Sequence, residues 1–252
     1  MNRIALITGA TSGIGKACAE KFAQHNYDLI ITGRRQDRLD QLKSDLESVN
    51  STNVLTLCFD IRTRASVNEA IESLPENWKK IDILINNAGL AAGLDFIQDG
   101  CVDDWEQMID TNIKGLLFIT KAVASIMIEN KNGHIINIGS IAGKEVYPKG
   151  NVYCASKHAV DALTKGMRID LLEHGIKVTQ IAPGLVETEF SIVRLKDEDA
   201  AANVYKGYEP LRGEDIADAC HYVTTLPAHV NINDMLIMPT AQANATQIVK
   251  DI

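Results

Sequence analysis

The residues of this 252-residue chain best suited to chemistry lie in the segment SIAGKEVYPKGNVYCASK, from Ser140 to Lys157. Tyr153 follows Ser140 by thirteen positions, and Lys157 follows Tyr153 by four. A helix starting near residue 151 puts Tyr153 and Lys157 on one face, because side chains four apart sit one above the other. A phenol beside an ammonium, with a hydroxyl arriving from the end of a preceding strand, makes a proton-transfer site. The ammonium is expected to favour phenolate and to lower the Tyr153 pKa towards neutral pH.

Such a site needs elements that hold it and a reactant to work on. An apolar run at 4–8 predicts a strand buried on both faces. It leads into GATSGIG at 9–15 and then a helical pattern with Ala17, Cys18, Ala19, Phe22 and Ala23 on its packed side. The spacing TGxxxGxG is a variant of the dinucleotide fingerprint. Its glycines allow a tight turn and close approach of a pyrophosphate, which the helix N-terminus then favours. A second strand at 28–32 ends in Gly33-Arg34-Arg35, where many NAD-binding sheets place an acid for the ribose 2′-hydroxyl. Two guanidiniums there suit the 2′-phosphate of NADP, or else they are solvated starters of the next helix. That helix is expected over Gln36–Val49, with Leu39, Leu42, Leu46 and Val49 on one face.

The pattern continues. A strand at 54–59 ends in Asp60-Ile61, where the carboxylate accepts from an adenine amino group or simply serves the loop. A helix is expected at 64–74. A strand at 81–85 ends in Asn86-Asn87-Ala88-Gly89, small and amide residues that line a cofactor crevice or make a hydrogen-bonded turn. Residues 103–130 read as helix, interrupted in propensity by Asn112 and Gly115, which mark a functional or strained site or a junction between two helices. A strand at 133–138 delivers Ser140. The helix carrying Tyr153 runs over 151–173 and closes at Gly175. A strand at 176–181 opens into APGLVET at 182–188. The charged, weakly patterned stretch that follows, bounded at 189–212, is the expected substrate lid. A helix at 213–226 and a strand at 235–238 complete the alternation. Strand and helix alternate throughout, which predicts one domain over 1–252: an α/β, Rossmann-type doubly wound parallel sheet of about seven strands.

Bulk properties bound the partners. The net charge of −8 and pI near 5.3 argue against nucleic acid and against anionic membranes. No apolar run approaches the roughly 18 residues of a membrane span, and the first residues lack a secretory pattern. The cysteines Cys18, Cys58, Cys101, Cys154 and Cys220 are scattered without CxxC, and the histidines lack ligand spacing. Free thiols, a cytoplasmic location and no metal are expected.

Together, TGxxxGxG at 8–15, NNAG at 86–89, Asn112, Ser140, YxxxK at 153–157 and PG at 183–184 resemble the short-chain dehydrogenase/reductase family over nearly the whole chain. The resemblance implies roles. Tyr153 is the general acid/base, Lys157 lowers its pKa and bonds the nicotinamide ribose, and Ser140 holds the substrate oxygen. Asn112 supports a water chain from Lys157. Gly9, Ser12, Gly13, Ile14 and Gly15 cradle the pyrophosphate, and Arg34 and Arg35 bind the 2′-phosphate. Asp60 and Ile61 flank adenine, Asn87 faces the adenosine ribose, and Val186 to Thr188 meet the carboxamide. A homotetramer through the helices near 103–130 and 151–174 is also implied.

More narrowly, GNVYCASK, PGLVETEFSIVRLK, TLPAHVNIN and MPTAQA resemble the NADP-dependent 3-hydroxy acid dehydrogenases, which act on serine, allo-threonine and related short acids. Lys149 or Arg194 is then expected to supply a cation for the substrate carboxylate, with Arg194 preferred. The charged pair Lys144-Glu145 departs from the pattern and is expected to alter the substrate entrance. The alternatives are another NADP-dependent carbonyl or 3-oxoacyl reductase, or a catalytically silent NADP sensor. The intact Ser140, Tyr153 and Lys157 speak against the last.

Overall fold

The computed structural model describes residues 2–251. Seven strands form one sheet in the order β3-β2-β1-β4-β5-β6-β7, every neighbouring pair parallel. They are β1 (Ile4–Ile7), β2 (Asp28–Gly33), β3 (Val54–Cys58), β4 (Ile81–Asn86), β5 (His134–Ile138), β6 (Lys177–Pro183) and β7 (Asp234–Ile237). Parallel strands need crossovers, and helices supply them on both faces. These are α1 (Gly13–Gln24), α2 (Gln36–Val49), α3 (Arg64–Glu72), α4 (Val102–Ile109), α5 (Leu116–Asn130), α6 (Asn151–Asp170) and α9 (Gly213–Thr225). Two short helices, α7 (Phe190–Leu195) and α8 (Glu198–Val204), lie in the stretch expected to be a lid.

Two apolar layers sandwich the sheet. One joins α1, α2 and α9 through Phe22, Leu39, Leu42, Leu46, Ile216 and Val223. The other joins α3 and α5 through Val67, Ile71, Ile119, Val123 and Met127. Continuous apolar strands such as Ala5-Leu6-Ile7 follow from burial on both faces. Val49 was expected on the packed face of α2. It is 78% exposed at the last position of α2.

The helical stretch from 102 to 130 is continuous, and residues Asp110–Gly115 form a π-helical turn rather than a junction. This stretch is long and apolar enough to cross a membrane, contrary to the expectation of no such run. Half of its most apolar window is buried, with Ile119, Val123 and Met127 against the sheet, so its apolarity serves the core.

Strand order reverses between β1 and β4, and the crevice at their carboxyl ends is where a doubly wound sheet takes a ligand. Buried amides hold these ends. Asn86 Nδ2 donates to Thr120 Oγ1 and to Asn137 Oδ1, both at 2.8 Å, and Asn137 Nδ2 donates to Thr164 Oγ1 at 2.9 Å. These bonds offset part of the cost of burying the amides and tie β4, β5, α5 and α6 together under the site, while Asn86 Oδ1 has no partner.

Candidate active site

The sheet ends, the glycine turn and the segment around α7 enclose one cavity of about 600 Å³. Gly9, Ser12, Gly13 and Ile14 line one end, and Ser140, Tyr153, Lys157 and Arg194 line the other. Gly9 and Gly13 have φ of +67° and +53°, the left-handed region that an L side chain rarely adopts. A Cβ on Gly15 would collide with the Gly9 carbonyl and the Asn87 amide. Asn87 Nδ2 donates to the carbonyls of Thr8 (2.9 Å) and Gly9 (3.2 Å), so it braces the turn.

Arg34 and Arg35 stand where β2 ends, both on the cavity wall. Arg35 donates to the hydroxyls of Thr11 (2.8 Å) and Ser12 (3.1 Å), which aims its guanidinium at the turn. Glu189 bridges Arg35 (3.4 Å) and Arg38 (2.9 Å). Partial burial raises the Glu189 carboxyl, but the two guanidiniums more than offset this and hold it below the usual range. Asp60 and Ile61 line the same end, and Arg62 already grips the Asp60 carboxylate through Nε at 2.9 Å. Thr111 presents a buried hydroxyl without a partner, and it also lines the cavity. The glycine cradle, the arginines and this free hydroxyl fit a phosphorylated dinucleotide. Val186 and Thr188 complete that wall.

At the other end, Ser140 closes β5 and caps a short turn by accepting from Ala142 N at 3.1 Å. Its hydroxyl is among the groups that favour the Tyr153 phenolate. The phenol is buried in an apolar cluster with Leu90, Ala92, Met108 and Ala142, flanked by Trp105, Tyr147 and Phe190. Burial pushes the Tyr153 phenol far up, and Tyr147 adds to this, while Ser140 and Arg194 pull it down. The expected lowering of the Tyr153 pKa towards neutral pH is not seen, because burial outweighs the groups that favour phenolate. Lys157 donates to the Ile138 carbonyl at 2.9 Å, and burial lowers its own pKa to about 8.

Asn112, in the π turn, exchanges bonds with the Leu90 backbone (Oδ1 from N at 2.9 Å, Nδ2 to O at 2.8 Å). Nδ2 also donates to Ser156 Oγ (3.0 Å), which donates to the Tyr153 carbonyl (2.8 Å). Asn112 thus ties the π turn to the Tyr153 helix. A Cβ on Gly89 would sit 3.2 Å from Asn112 Oδ1 and 3.7 Å from Lys157 Nζ, so glycine keeps that gap open.

Arg194 reaches the cavity from α7. Its Nη1 donates to Tyr147 Oη at 2.9 Å and its Nε to the Gly93 carbonyl at 3.3 Å, while its buried Nη2 has no partner. Lys149 instead lies over the Phe96 ring at 4.9 Å and does not line the cavity. Lys144 and Glu145 do not line the entrance either. Lys144 pairs with Asp161 and Asp234, and Glu145 accepts from Ala245 N at 2.9 Å. Their charges anchor the Ser140 loop to α6, β7 and the C-terminal segment. Among the described residues, no cluster of His, Cys, Asp or Glu suits a metal, and all five cysteines are free.

Sequence reasoning missed Tyr147, Ser156, Thr111, Arg38, Glu189 and Gln242. Gln242 alone announced itself, as part of MPTAQA. It accepts from Leu185 N at 2.9 Å and so pins the loop after β6. TLPAHVNIN, by contrast, touches no part of the cavity: Pro227 and Val230 accept from Lys177, and Asn233 from Arg168.

The family model for short chain dehydrogenases matches residues 3–199. The NADP-dependent 3-hydroxy acid dehydrogenase YdfG of Salmonella typhi is 48% identical over 244 residues, covering 96% of this chain and 97% of its own. Sulfoacetaldehyde reductase 2 of Chromohalobacter salexigens is 46% identical over 245 residues, covering 96% of each. Among solved structures, the closed form of a serine dehydrogenase complexed with NADP+ is 46% identical. It superposes with a TM-score of 0.91 over 99% of this chain and 100% of its own. Serine dehydrogenase from Escherichia coli gives 0.82 at 43% identity, over 95% and 99%. A match over most of the chain, with the glycine turn, Ser140, Tyr153 and Lys157 gathered in one cavity, makes this chain a member of the short chain dehydrogenase family.

Proposed function

We propose that the protein is an NADP-dependent dehydrogenase of short 3-hydroxy acids, such as serine or allo-threonine, and that it reduces the corresponding 3-oxo acids in reverse. The observation that carries the substrate reading is Arg194. It offers a buried, unpartnered Nη2 beside Tyr153, in the same cavity as the glycine cradle. A buried donor without a partner costs free energy, which an anionic oxygen relieves.

Bound NADP supplies the hydride acceptor. Ser140 holds the substrate hydroxyl, and Tyr153 takes its proton as the alkoxide-like charge develops. Lys157 positions the ribose and Asn112 supports it through the gap at Gly89. Arg194 grips the carboxylate, and residues 189–212 close over it as a lid. Residues 1–252 act as one catalytic unit. Free thiols favour a reducing, cytoplasmic setting. The exposed Ile109 and Leu117 on the long helix, and Ile169 near the end of α6, suit the faces through which the family forms homotetramers.

The test is steady-state oxidation of serine, allo-threonine and 3-hydroxyisobutyrate with NADP and NAD in parallel. Turnover of these acids with NADP is expected, and activity confined to acyl carriers or plain ketones defeats the proposal. A sulfonate presents the same anionic oxygens to Arg194, and one relative is a sulfoacetaldehyde reductase. Sulfoacetaldehyde and 2-hydroxyethanesulfonate therefore belong in the panel as the second reading.

A further inference from the structure

The charged pair Lys144-Glu145 leaves the substrate entrance alone, yet its lysine is tied to the helix that carries the reactive side chains. Tyr153, Lys157 and Asp161 follow one another at intervals of four along α6 and so share one face. Lys144 Nζ pairs with the Asp161 carboxylate and with Asp234 at the start of β7. We propose that Lys144 is a positioning residue for the reaction: by gripping Asp161 it holds the Ser140 turn against the face of α6 that carries Tyr153 and Lys157, and so sets where Ser140 presents its hydroxyl. The inference rests on the dehydrogenase reading above but not on which acid is the substrate.

The Ser140 turn is short. It is closed by the bonds of Gly143 N to the Ser140 carbonyl and of Lys144 N to the Ile141 carbonyl, both 2.9 Å. A single tight turn of this kind has poor hydrogen-bond geometry and needs support from outside. Support comes from α6. A Cβ on Gly143 would lie 2.6 Å from the Lys157 carbonyl, so glycine lets the turn rest directly on the helix backbone. The Lys144–Asp161 pair then ties it one helical turn further on. Gln180, on β6, donates to Asp161 Oδ1 and Asp234 Oδ2, both at 2.9 Å. A Cβ on Gly139 would meet the same Gln180 side chain at 2.9 Å. The network thus reaches the residue before Ser140 as well as Lys144 after it.

The tie stays charged. Burial raises the Asp161 carboxyl, but Lys144, Lys165 and Gln180 more than offset this and lower it to about 2. The Asp161 side chain is 14% exposed, so desolvation cancels much of the attraction and the pair is a weak source of stability. What it supplies is geometry: two carboxylates from different elements fix one ammonium between them. Glu145 bonds Ala245 N in the C-terminal segment, so the tie to α6 belongs to Lys144.

The experiment compares serine oxidation with NADP across variants, with sulfoacetaldehyde reduction in its place if the wild type leaves serine untouched. That failure counts against the substrate reading alone. Lys144→Met is expected to lower kcat about 10- to 100-fold, with the dissociation constant for NADP changed less than about twofold. Asp161→Asn should match it, and it keeps the test available should Lys144→Met not fold. Asp234→Asn leaves the α6 tie intact and should cost less than about threefold. Ser140→Ala should itself lose about 100- to 1,000-fold. Adding Lys144→Met to Ser140→Ala should then cost less than about twofold more, because Lys144 acts through Ser140. An unmoved kcat in Lys144→Met overturns the inference. Losses that multiply in the double variant do the same, as does an Asp234→Asn loss equal to that of Asp161→Asn. Amide exchange of the NADP complex needs no turnover. The peptide spanning 139–145 should exchange about tenfold faster in Lys144→Met, with peptides from β1 and α1 unchanged. Equal rates in that peptide, or acceleration throughout the protein, are fatal to the proposal.

Discussion

The two walls of the cavity are built on different principles. The strand-end wall carries Ser140, Tyr153 and Lys157 on β5 and α6. Beneath it Asn86, Thr120, Asn137 and Thr164 are all buried and bonded to one another. The α7–α8 wall is held by scattered side-chain bonds and a few single backbone bonds, such as Gly93 N to the Arg194 carbonyl, instead. Tyr205 Oη bonds Ser191 (2.6 Å) and the Val186 carbonyl (2.9 Å), Lys196 pairs with Asp104 (3.4 Å), and Glu189 holds the arginines of β2 and α2. The contrast separates two tasks. Proton transfer to an oxygen is the same for every substrate and rests on geometry that cannot slip. The charge proposed to meet the substrate sits on α7, a helix of six residues that is too short to be stable without its tertiary anchors.

That contrast breaks most easily at Tyr153. Tyr153→Phe should lower kcat/KM by about 100- to 10,000-fold, with the dissociation constant for NADP nearly unchanged. A mild effect would mean that the fixed wall does not carry the chemistry. Arg34→Glu should cut the NADP-over-NAD ratio of kcat/KM by about 10- to 100-fold, the worth of a charge-assisted hydrogen bond. Parallel kinetics with the two cofactors read this directly.

Lys157 sharpens the comparison through stability. Its folded pKa of about 8 lies below the ordinary 10.5, so the unfolded chain binds the proton more tightly. The cost is fully present below pH 8 and disappears as pH rises towards 10.5. Lys157→Met should therefore stabilise the cofactor-free protein at pH 7 by about 1–3 kcal/mol, less whatever the orphaned Ile138 carbonyl costs, while abolishing turnover. Urea titrations at pH 7 and 10 check it, and the advantage should shrink at the higher pH. The smallest effect belongs to the hanging wall. Tyr205→Phe removes two lid bonds and should raise KM for the hydroxy acid about fivefold, with little change in melting temperature.

The fixed wall was largely legible in the sequence, because its signals are local. Glycines that must turn at a strand end, and Tyr153 and Lys157 one helical turn apart, advertise themselves through spacing. The partners that tune them come from far along the chain. Tyr147 meets Arg194 across 47 positions, Glu189 meets Arg38 across 151, and Ser156 meets Asn112 across 44. No periodicity encodes such meetings. Burial was equally hidden: helical spacing put an ammonium near the phenol, but not the apolar cluster that outweighs it. The Lys144-Glu145 pair misled for the same reason, since its partners Asp161, Asp234 and Ala245 look like ordinary surface in a linear reading.

The short helix α7 has a further consequence for engineering. Glu189, at its N-cap, holds Arg35 and Arg38 at the end of the cavity proposed to take the 2′-phosphate, and Arg194, in its last turn, lies on the Tyr153 ring. These opposite charges belong to the two ends of one short helix, five residues and so about 7.5 Å apart along its axis at the helical rise per residue. Cofactor preference and turnover are therefore not independent dials. Redesigning the Arg35 and Arg38 end to accept NAD removes the ion pairs of Glu189 and leaves α7 held at its other end by the contacts of Arg194 with Gly93 and Tyr147. A cofactor swap in this scaffold calls for a compensating anchor on α7.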